Sequence, residues 1–380
     1  MKVLLVTDLY PHNSLISRTD ITHAIRDFVD EWRASAEVDV RVLIPTSHFG
    51  GYVRQREALV ETSVDGVPVT IIKVWKIPFT CLWHTAPARA WLASTGFVPD
   101  VVLAHMFPGF ILGRKLAAAL ACPIIFSVHK GDISDTRASQ RHFDSADYLG
   151  FRSHQLRKAF AKKFRLPPEG RHFLCESGVA EQHICPQEDF ERSTWHQPFR
   201  MIFVGSLAAH KNVDLIIAAA LQLPDSMDWH LTLIGDGPER ANLTAQVQAA
   251  GITGRVTFMG QQSHQQCQQS LREADCFVMV SLETFGLVYL EAMAAACAVI
   301  AASDTGIDGV ISSGREGILC PLGDITAISK AMTEIYTAGP AGFLPHCRHT
   351  IMQYTRPKKA ASYLNNIRAC VEHHRQLGNN

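Results

Sequence analysis

Short, unbroken apolar runs recur along this chain, and most are separated by enough residues for one helix. VLLV at 3–6, VDVRVLIP at 38–45, DVVLAHM at 100–106 and PIIFSVH at 123–129 read as strands. GVPVTIIKVW at 66–75 reads as a further strand, antiparallel or one arm of a hairpin. Helical periodicity covers 21–32 and 109–120, a short strand begins at 147–150, and a basic helix occupies 153–164. Strands that stay apolar on both faces, with helices between them, belong to a parallel sheet covered on both sides. The pattern then restarts with RMIFVGSL (200–207), WHLTLIGDGP (229–238), RVTFMG (255–260), DCFVMVS (275–281), AVIAA (298–302) and GILC (317–320). Helices are expected from 213 and over 239–250, 263–273, 286–296 and 324–336. The expected fold class is α/β, with two doubly wound parallel-sheet domains of Rossmann type.

The length agrees: 380 residues suit two domains. The expected boundaries are a first domain at 1–180, a linker at 181–199, a second domain at 200–345 and a tail at 346–380. Pro186, Pro198 and polar residues break the periodicity in the linker region. With 47% apolar and 19% charged residues, wholesale disorder is excluded. Lys plus Arg and Asp plus Glu both number 36, so net charge gives no reason to bind nucleic acid. The ten cysteines form no C-x-x-C pair, as expected of reduced core thiols in a cytosolic protein. The run Val3–Val6 is too short for a signal-peptide core, and no stretch of apolar residues is long enough to span a membrane.

Open parallel sheets bind ligands at the carboxyl ends of their strands. The loops there hold the unusual residues. After DCFVMVS comes SLETFGLVYLEAMA (281–294), with Glu283 in the loop and Gly286 at a helix entry. Such an entry offers free N–H groups and the positive end of the helix dipole to an anion. Glu291, eight residues after Glu283, projects to a comparable side. Two carboxylates repel a phosphate but suit sugar hydroxyls. After RMIFVGSL, Lys211 precedes Asn212, a candidate helix cap. A lysine at a helix start is disfavoured by the dipole and suits a phosphate counter-charge. Taken singly, Lys211, Glu283 and Glu291 also fit solvated side chains. Gly235 and Gly237 either cradle a phosphate or turn the chain. Their spacing lacks the nicotinamide-binding fingerprint.

Together, VGSLAAHKNVDLII, LIGDGPERANL, VTFMG and ETFGLVYLEAMAAACAVIA resemble the carboxyl domain of retaining GT-B glycosyltransferases of family four, the glycosyl transferases group 1. The resemblance runs over about 200–335, with the Glu283/Glu291 pair as its strongest element. The first half resembles the family more weakly, through MKVLLVTDLYP, DVVLAHMFPG and IIFSVHKGDIS.

The resemblance implies two domains facing a central cleft, with a tail that crosses back to the first. It implies that Lys211 grips the donor phosphates and that Ser206 stands where the family often has an arginine, a weaker clamp. Glu283 is implied to meet donor-sugar hydroxyls and Glu291 the ribose hydroxyls. Phe285, Gly286 and Leu287 supply backbone N–H groups. His129 of the first domain is implied to lie near the reacting sugar, with Asp132 beside it. Where the family often has a Gly-Gly pair, the first loop reads HNSLISRTD (12–20), making Ser14, Ser17 and Arg18 acceptor-side or phosphate candidates. No Asp-x-Asp motif is present, so neither metal nor cofactor is expected.

The reaction implied is transfer of a hexosyl group from a nucleotide-sugar, a UDP-sugar ahead of a GDP-sugar, with retention of configuration. The acceptor is a saccharide or lipid-linked saccharide of a bacterial surface polysaccharide or glycolipid. The alternatives are a nucleotide-sugar epimerase or hydrolase, and a non-catalytic nucleotide-sugar-binding homologue. In HQLRKAFAKKFR (154–165), Leu156, Phe160 and Phe164 recur at helical spacing amid basic residues. This stretch is either an amphipathic helix packed on the sheet or a contact with anionic lipid at the cytoplasmic membrane face. Trp75, Phe79, Trp83 and Trp91 are either core aromatics or acceptor contacts.

Overall fold

A computed structural model describes residues 1–10, 24–35, 37–47, 58–74 and 85–378. In chain order the first elements are β1 (Lys2–Val6), α1 (Ala24–Ala34), β2 (Asp39–Ser47), β3 (Leu59–Val64), β4 (Val67–Val74), α2 (Ala86–Thr95), β5 (Val101–His105) and α3 (Met106–Leu120). There follow β6 (Ile124–Val128), α4 (Lys130–Ser134), α5 (Gln140–Asp144), β7 (Tyr148–Phe151), α6 (His154–Lys163), β8 (His172–Leu174) and α7 (Gln187–Phe190). The second set is β9 (Phe199–Val204), α8 (Val213–Ala220), β10 (Trp229–Ile234), α9 (Arg240–Ala249), β11 (Val256–Gly260) and α10 (His264–Arg272). It continues with β12 (Cys276–Met279), α11 (Leu287–Ala294), β13 (Ala298–Ala302), β14 (Gly317–Cys320), α12 (Ile325–Ala338), α13 (Leu344–Ile351) and α14 (Arg356–Gly378).

These elements fall into two compact units. Met1–Ser177 with Lys359–Asn380 form one, and Gly178–Lys358 the other. The first unit has the sheet order β3-β4-β2-β1-β5-β6-β7-β8. Only β3 runs antiparallel, as the hairpin partner of β4. Successive strand residues point to opposite faces, and both faces are covered. Leu4 and Val6 join a core with Trp91, Phe110, Phe143 and Phe160 from α2, α3, α5 and α6. Val3 and Leu5 join another with Phe28 and Trp32 from α1 and Tyr363 and Ile367 from α14. The continuous apolar runs in the sequence thus serve two cores at once.

The second unit is an all-parallel sheet in the order β11-β10-β9-β12-β13-β14. Chain order along the sheet reverses between β1 and β5 in the first unit and between β9 and β12 in the second. Those are the switch points at which doubly wound sheets bind ligands.

Two expected boundaries move. The segment at 181–199 is no linker; it is packed into the second unit. Phe190 and Trp195 are buried in that core, and Trp195 Nε1 donates to the Ile335 carbonyl at 3.0 Å. Asp275, fully buried at the start of β12, anchors the segment. It accepts from His196 Nδ1 at 2.8 Å, accepts from the Arg200 N–H at 2.9 Å and pairs with Arg192 at 3.3 Å. The prolines break helical and strand periodicity here, but spaced aromatics still find the core. The return to the first unit begins at Lys359 rather than near 346. Leu344, Cys347 and Ile351 on α13 are buried in the second core, which keeps that helix there.

Candidate functional site

In the second unit the loops after β9 and β12 supply Lys211 and Glu283. Lys211 Nζ donates to Glu283 Oε1 at 2.6 Å. The buried Ser281 hydroxyl donates to the same oxygen at 2.7 Å. The two side chains of the pair are only 16% and 18% exposed, so solvent and salt screen them less than a surface pair. Asn212 occupies the cap position of α8, but its side chain caps nothing there. Its Nδ2 instead donates to the Val280 carbonyl at 2.8 Å. That bond ties the loop after β9 to the end of β12 and so brings Lys211 to Glu283. Gly306 N–H, from the loop after β13, donates to the Glu283 carbonyl at 3.0 Å and holds the loop from the other side.

Gly286 precedes α11 with φ +85°, and a Cβ there would lie 2.5 Å from Tyr289 Cδ2. The Tyr289 ring cannot yield, because its hydroxyl donates to the Met279 carbonyl at 2.7 Å inside the core. Glycine is therefore required at this helix entry. The N–H groups of Leu287 and Val288 that open α11 have no carbonyl within the helix to donate to, whereas Tyr289 N–H donates to the Gly286 carbonyl at 3.0 Å. Phe285 turns its ring into the core, while Leu287 and Glu291 are half-buried. Ser206 is exposed after β9.

The Gly235–Gly237 turn has a packing role. A Cβ on Gly235 would sit 1.8 Å from the Gly205 carbonyl oxygen. Three backbone bonds lace the loops after β9 and β10: Gly205 N to Ile234 O at 3.0 Å, Leu207 N to Asp236 O at 2.9 Å and Glu239 N to Leu207 O at 2.9 Å.

In the first unit, Asp132 and His129 follow β6. Asp132 is buried; Oδ1 accepts from Phe107 N–H at 2.6 Å and Oδ2 from His129 N–H at 2.7 Å. One carboxylate thus caps the entries of α3 and α4. Its side chain faces backbone N–H groups and is 1% exposed. Burial pushes the Asp132 carboxyl up to about 7, against the pull of those two N–H groups. His129 Nε2 lies 3.1 Å from Nδ1 of the buried His105. Burial first, and then the Arg152 cation, hold His129 down at about 3. His105 is also held low, by burial, His129 and Arg152 in that order. Arg152 is itself buried, donating to the Cys175 carbonyl at 2.9 Å and to Ser177 Oγ.

Ser14, Ser17, Arg18, Trp75, Phe79 and Trp83 lie outside the described residues. Trp91 is core, with Nε1 donating to Glu61 at 2.8 Å. On α6, Leu156 and Phe160 pack inward, while Lys158, Lys162 and Lys163 are exposed. Among the described residues no helix is long and apolar enough to cross a membrane, and no group of His, Cys, Asp and Glu is placed to hold a metal ion. His105, Arg152 and Ser281 stand at these sites without having been named from the sequence. The signal for His105 was a polar ring ending an otherwise apolar strand. Arg152 and Ser281 gave none short of the fold.

The family model described as "Glycosyl transferases group 1" matches residues 187–349. Over this segment the chain is similar to the group 1 glycosyltransferases, and its two α/β units match the GT-B fold of the solved structures below. A curated relative, N-acetyl-alpha-D-glucosaminyl L-malate synthase of Bacillus anthracis, is 34% identical over 136 residues, covering 36% of this chain and 35% of that protein. The chain thus spans about a third of the length of that relative. Anabaena HepE in complex with UDP superposes with a TM-score of 0.71 at 17% identity, over 97% of this chain and 100% of that one. The lipopolysaccharide outer core galactosyltransferase WaaB, in its apo form, superposes with a TM-score of 0.73 at 16% identity, over 97% and 99%.

Proposed function

We propose that this chain is a retaining glycosyltransferase. It moves a hexosyl group from a nucleotide-diphosphate sugar, a UDP-sugar ahead of a GDP-sugar, to a saccharide or lipid-linked saccharide. The observation that carries the reading is the meeting of Lys211 and Glu283 beside the Gly286 helix entry. The entry offers N–H groups and a positive dipole end to a diphosphate, and Lys211 adds a cation. Glu283 and Glu291 accept from hydroxyls of the sugar and the ribose. A diphosphate that draws Lys211 to itself releases Glu283 Oε1 for a sugar hydroxyl. A fold that holds UDP in Anabaena HepE agrees with this donor class.

The leaving diphosphate is stabilised by Lys211, Ser206 and the N–H groups of Phe285 to Leu287, with no metal required. The acceptor oxygen attacks from the face that the diphosphate leaves. Its proton passes to the departing phosphate oxygen, so the anomeric configuration is retained. His129 bonds a hydroxyl of the reacting sugar. Ser14, Ser17 and Arg18 serve the acceptor or the phosphates. The setting proposed is surface-polysaccharide or glycolipid synthesis in the bacterial cytoplasm, at the inner membrane face. The exposed lysines of α6 would there meet anionic lipid.

A panel of nucleotide-sugars, followed by UDP or GDP release with and without acceptor, tests the reading. Acceptor-dependent UDP release is expected. Turnover that needs no acceptor would mark an epimerase or hydrolase. Binding without turnover would mark a nucleotide-sugar-binding homologue.

A further inference from the structure

His105 ends β5 and His129 directly follows the neighbouring strand β6, with His105 paired in register to Ser127. His105 is only 1% exposed, at a place where an apolar side chain would be cheaper to bury. A polar ring kept in such a place needs a partner. Its partner is His129, Nδ1 to Nε2 at 3.1 Å, with the ring planes tilted by 57°. Three charged or titratable groups surround the pair. The Arg152 cation disfavours protonation of both rings. Asp132 holds the His129 backbone, and Asp8 acts on Asp132 from beyond. With both rings neutral, a single hydrogen lies between the two nitrogens, one donating and the other accepting.

We infer that His105 is a positioning residue for His129. The bond from His105 Nδ1 fixes the ring plane and the tautomer of His129. It also commits Nε2 inward, while the other side of the ring meets the Asp132 backbone N–H in the capping box of α4. The backbone turn that presents His105 is itself specialised. Met106, the next residue, has φ +62°, in the left-handed region that a long side chain seldom occupies. Phe107 N–H is held by Asp132, the same carboxylate that holds His129. Both rings are therefore set from one anchor. The inference rests on the assignment of His129 to the reacting sugar.

The test uses the full chain labelled with ¹⁵N-histidine. Long-range proton–nitrogen spectra report the His129 tautomer, and nucleotide-sugar turnover is measured in parallel. In the parent chain His129 should show one protonated and one bare nitrogen. His105→Leu should average the two and lower kcat about tenfold, the worth of one orienting hydrogen bond, with donor KM little changed. His105→Asn, whose amide falls near the Nδ1 position, should restore a fixed tautomer and most of kcat. His105→Gln, which reaches instead toward the Nε2 position, should not. If His105→Leu fails to fold, the Asn and Gln variants still decide the matter. A fixed tautomer with unchanged kcat in His105→Leu, or equal rescue by Gln and Asn, overturns the inference. If His129→Ala keeps full turnover while the parent spectra show the fixed pair, the assignment of His129 has failed and the positioning role falls with it.

Discussion

At the scale of the residue, three buried titratable groups of the first unit pull stability in opposite directions. His105 and His129 stay neutral in the fold, well below the ordinary histidine value. Below about pH 6.5 the unfolded chain takes up protons that these rings refuse, so their contribution is present above that pH and is lost on acidification. Asp132, with its carboxyl raised to about 7, works the other way. Its contribution is full below the ordinary carboxyl range and is lost as pH rises through 7. Two histidines against one carboxylate leave the balance with the histidines between pH 6.5 and 4.5, so this cluster loses stability on acidification, by about 1 kcal/mol per pH unit for each net proton. Urea unfolding followed on the first unit should show stability falling as the pH is lowered, a slope to which His142 and His172, also held low by burial, add in the same direction. His105→Asn should flatten it, because one of the two histidines is gone. An unchanged slope in the variant would mean that His105 is charged or exposed in the fold.

At the scale of the element, backbone bonds lace the loops after β9 and β10, the first of which carries Lys211. Gly235→Ala would drive a Cβ to 1.8 Å from the Gly205 carbonyl at φ +130°. It should cost about 3 kcal/mol or more, read as a lower urea midpoint at constant m-value. A loss under ~1 kcal/mol would show that the loops can part cheaply. The sequence announced the strands of both sheets, because strands buried on both faces have to be apolar throughout, but not the two edge strands β3 and β8, which are only partly buried. It also announced the helix entry at Gly286, since glycine there relieves a clash that is local to the chain. What it hid depends on contacts between distant segments. Asn212 looks like a cap by position, yet its amide spans to Val280. The stretch from Glu181 to Pro198 looks like a linker because prolines interrupt it, yet Asp275 and the core hold it. His105 looks like a strand end until its partner, 24 residues on, comes into view.

At the scale of the whole molecule, the last helix completes the first unit. Tyr363, Leu364 and Ile367 fill the core beside Phe28 and Trp32, and the Tyr363 hydroxyl meets Ser127 Oγ at 2.6 Å. A chain ending at Lys358 loses those side chains, each worth about 2 kcal/mol of burial. Hydrogen exchange should then show β1, β5 and β6 unprotected while β9, β12 and β13 stay protected. Equal protection of both sets would show that the first unit folds without its last helix. Net neutrality is likewise only an average, over a basic α6 face in one unit and a Lys211–Glu283 pair at a helix entry in the other. The claim that this pair is the heart of a glycosyltransferase is tested most directly by UDP release from a UDP-sugar in the presence of acceptor, for the parent chain and for Glu283→Ala at matched melting temperature. Turnover should fall by about 100-fold or more, the scale of losing a preorganised polar group in an active site; turnover equal to the parent would contradict it.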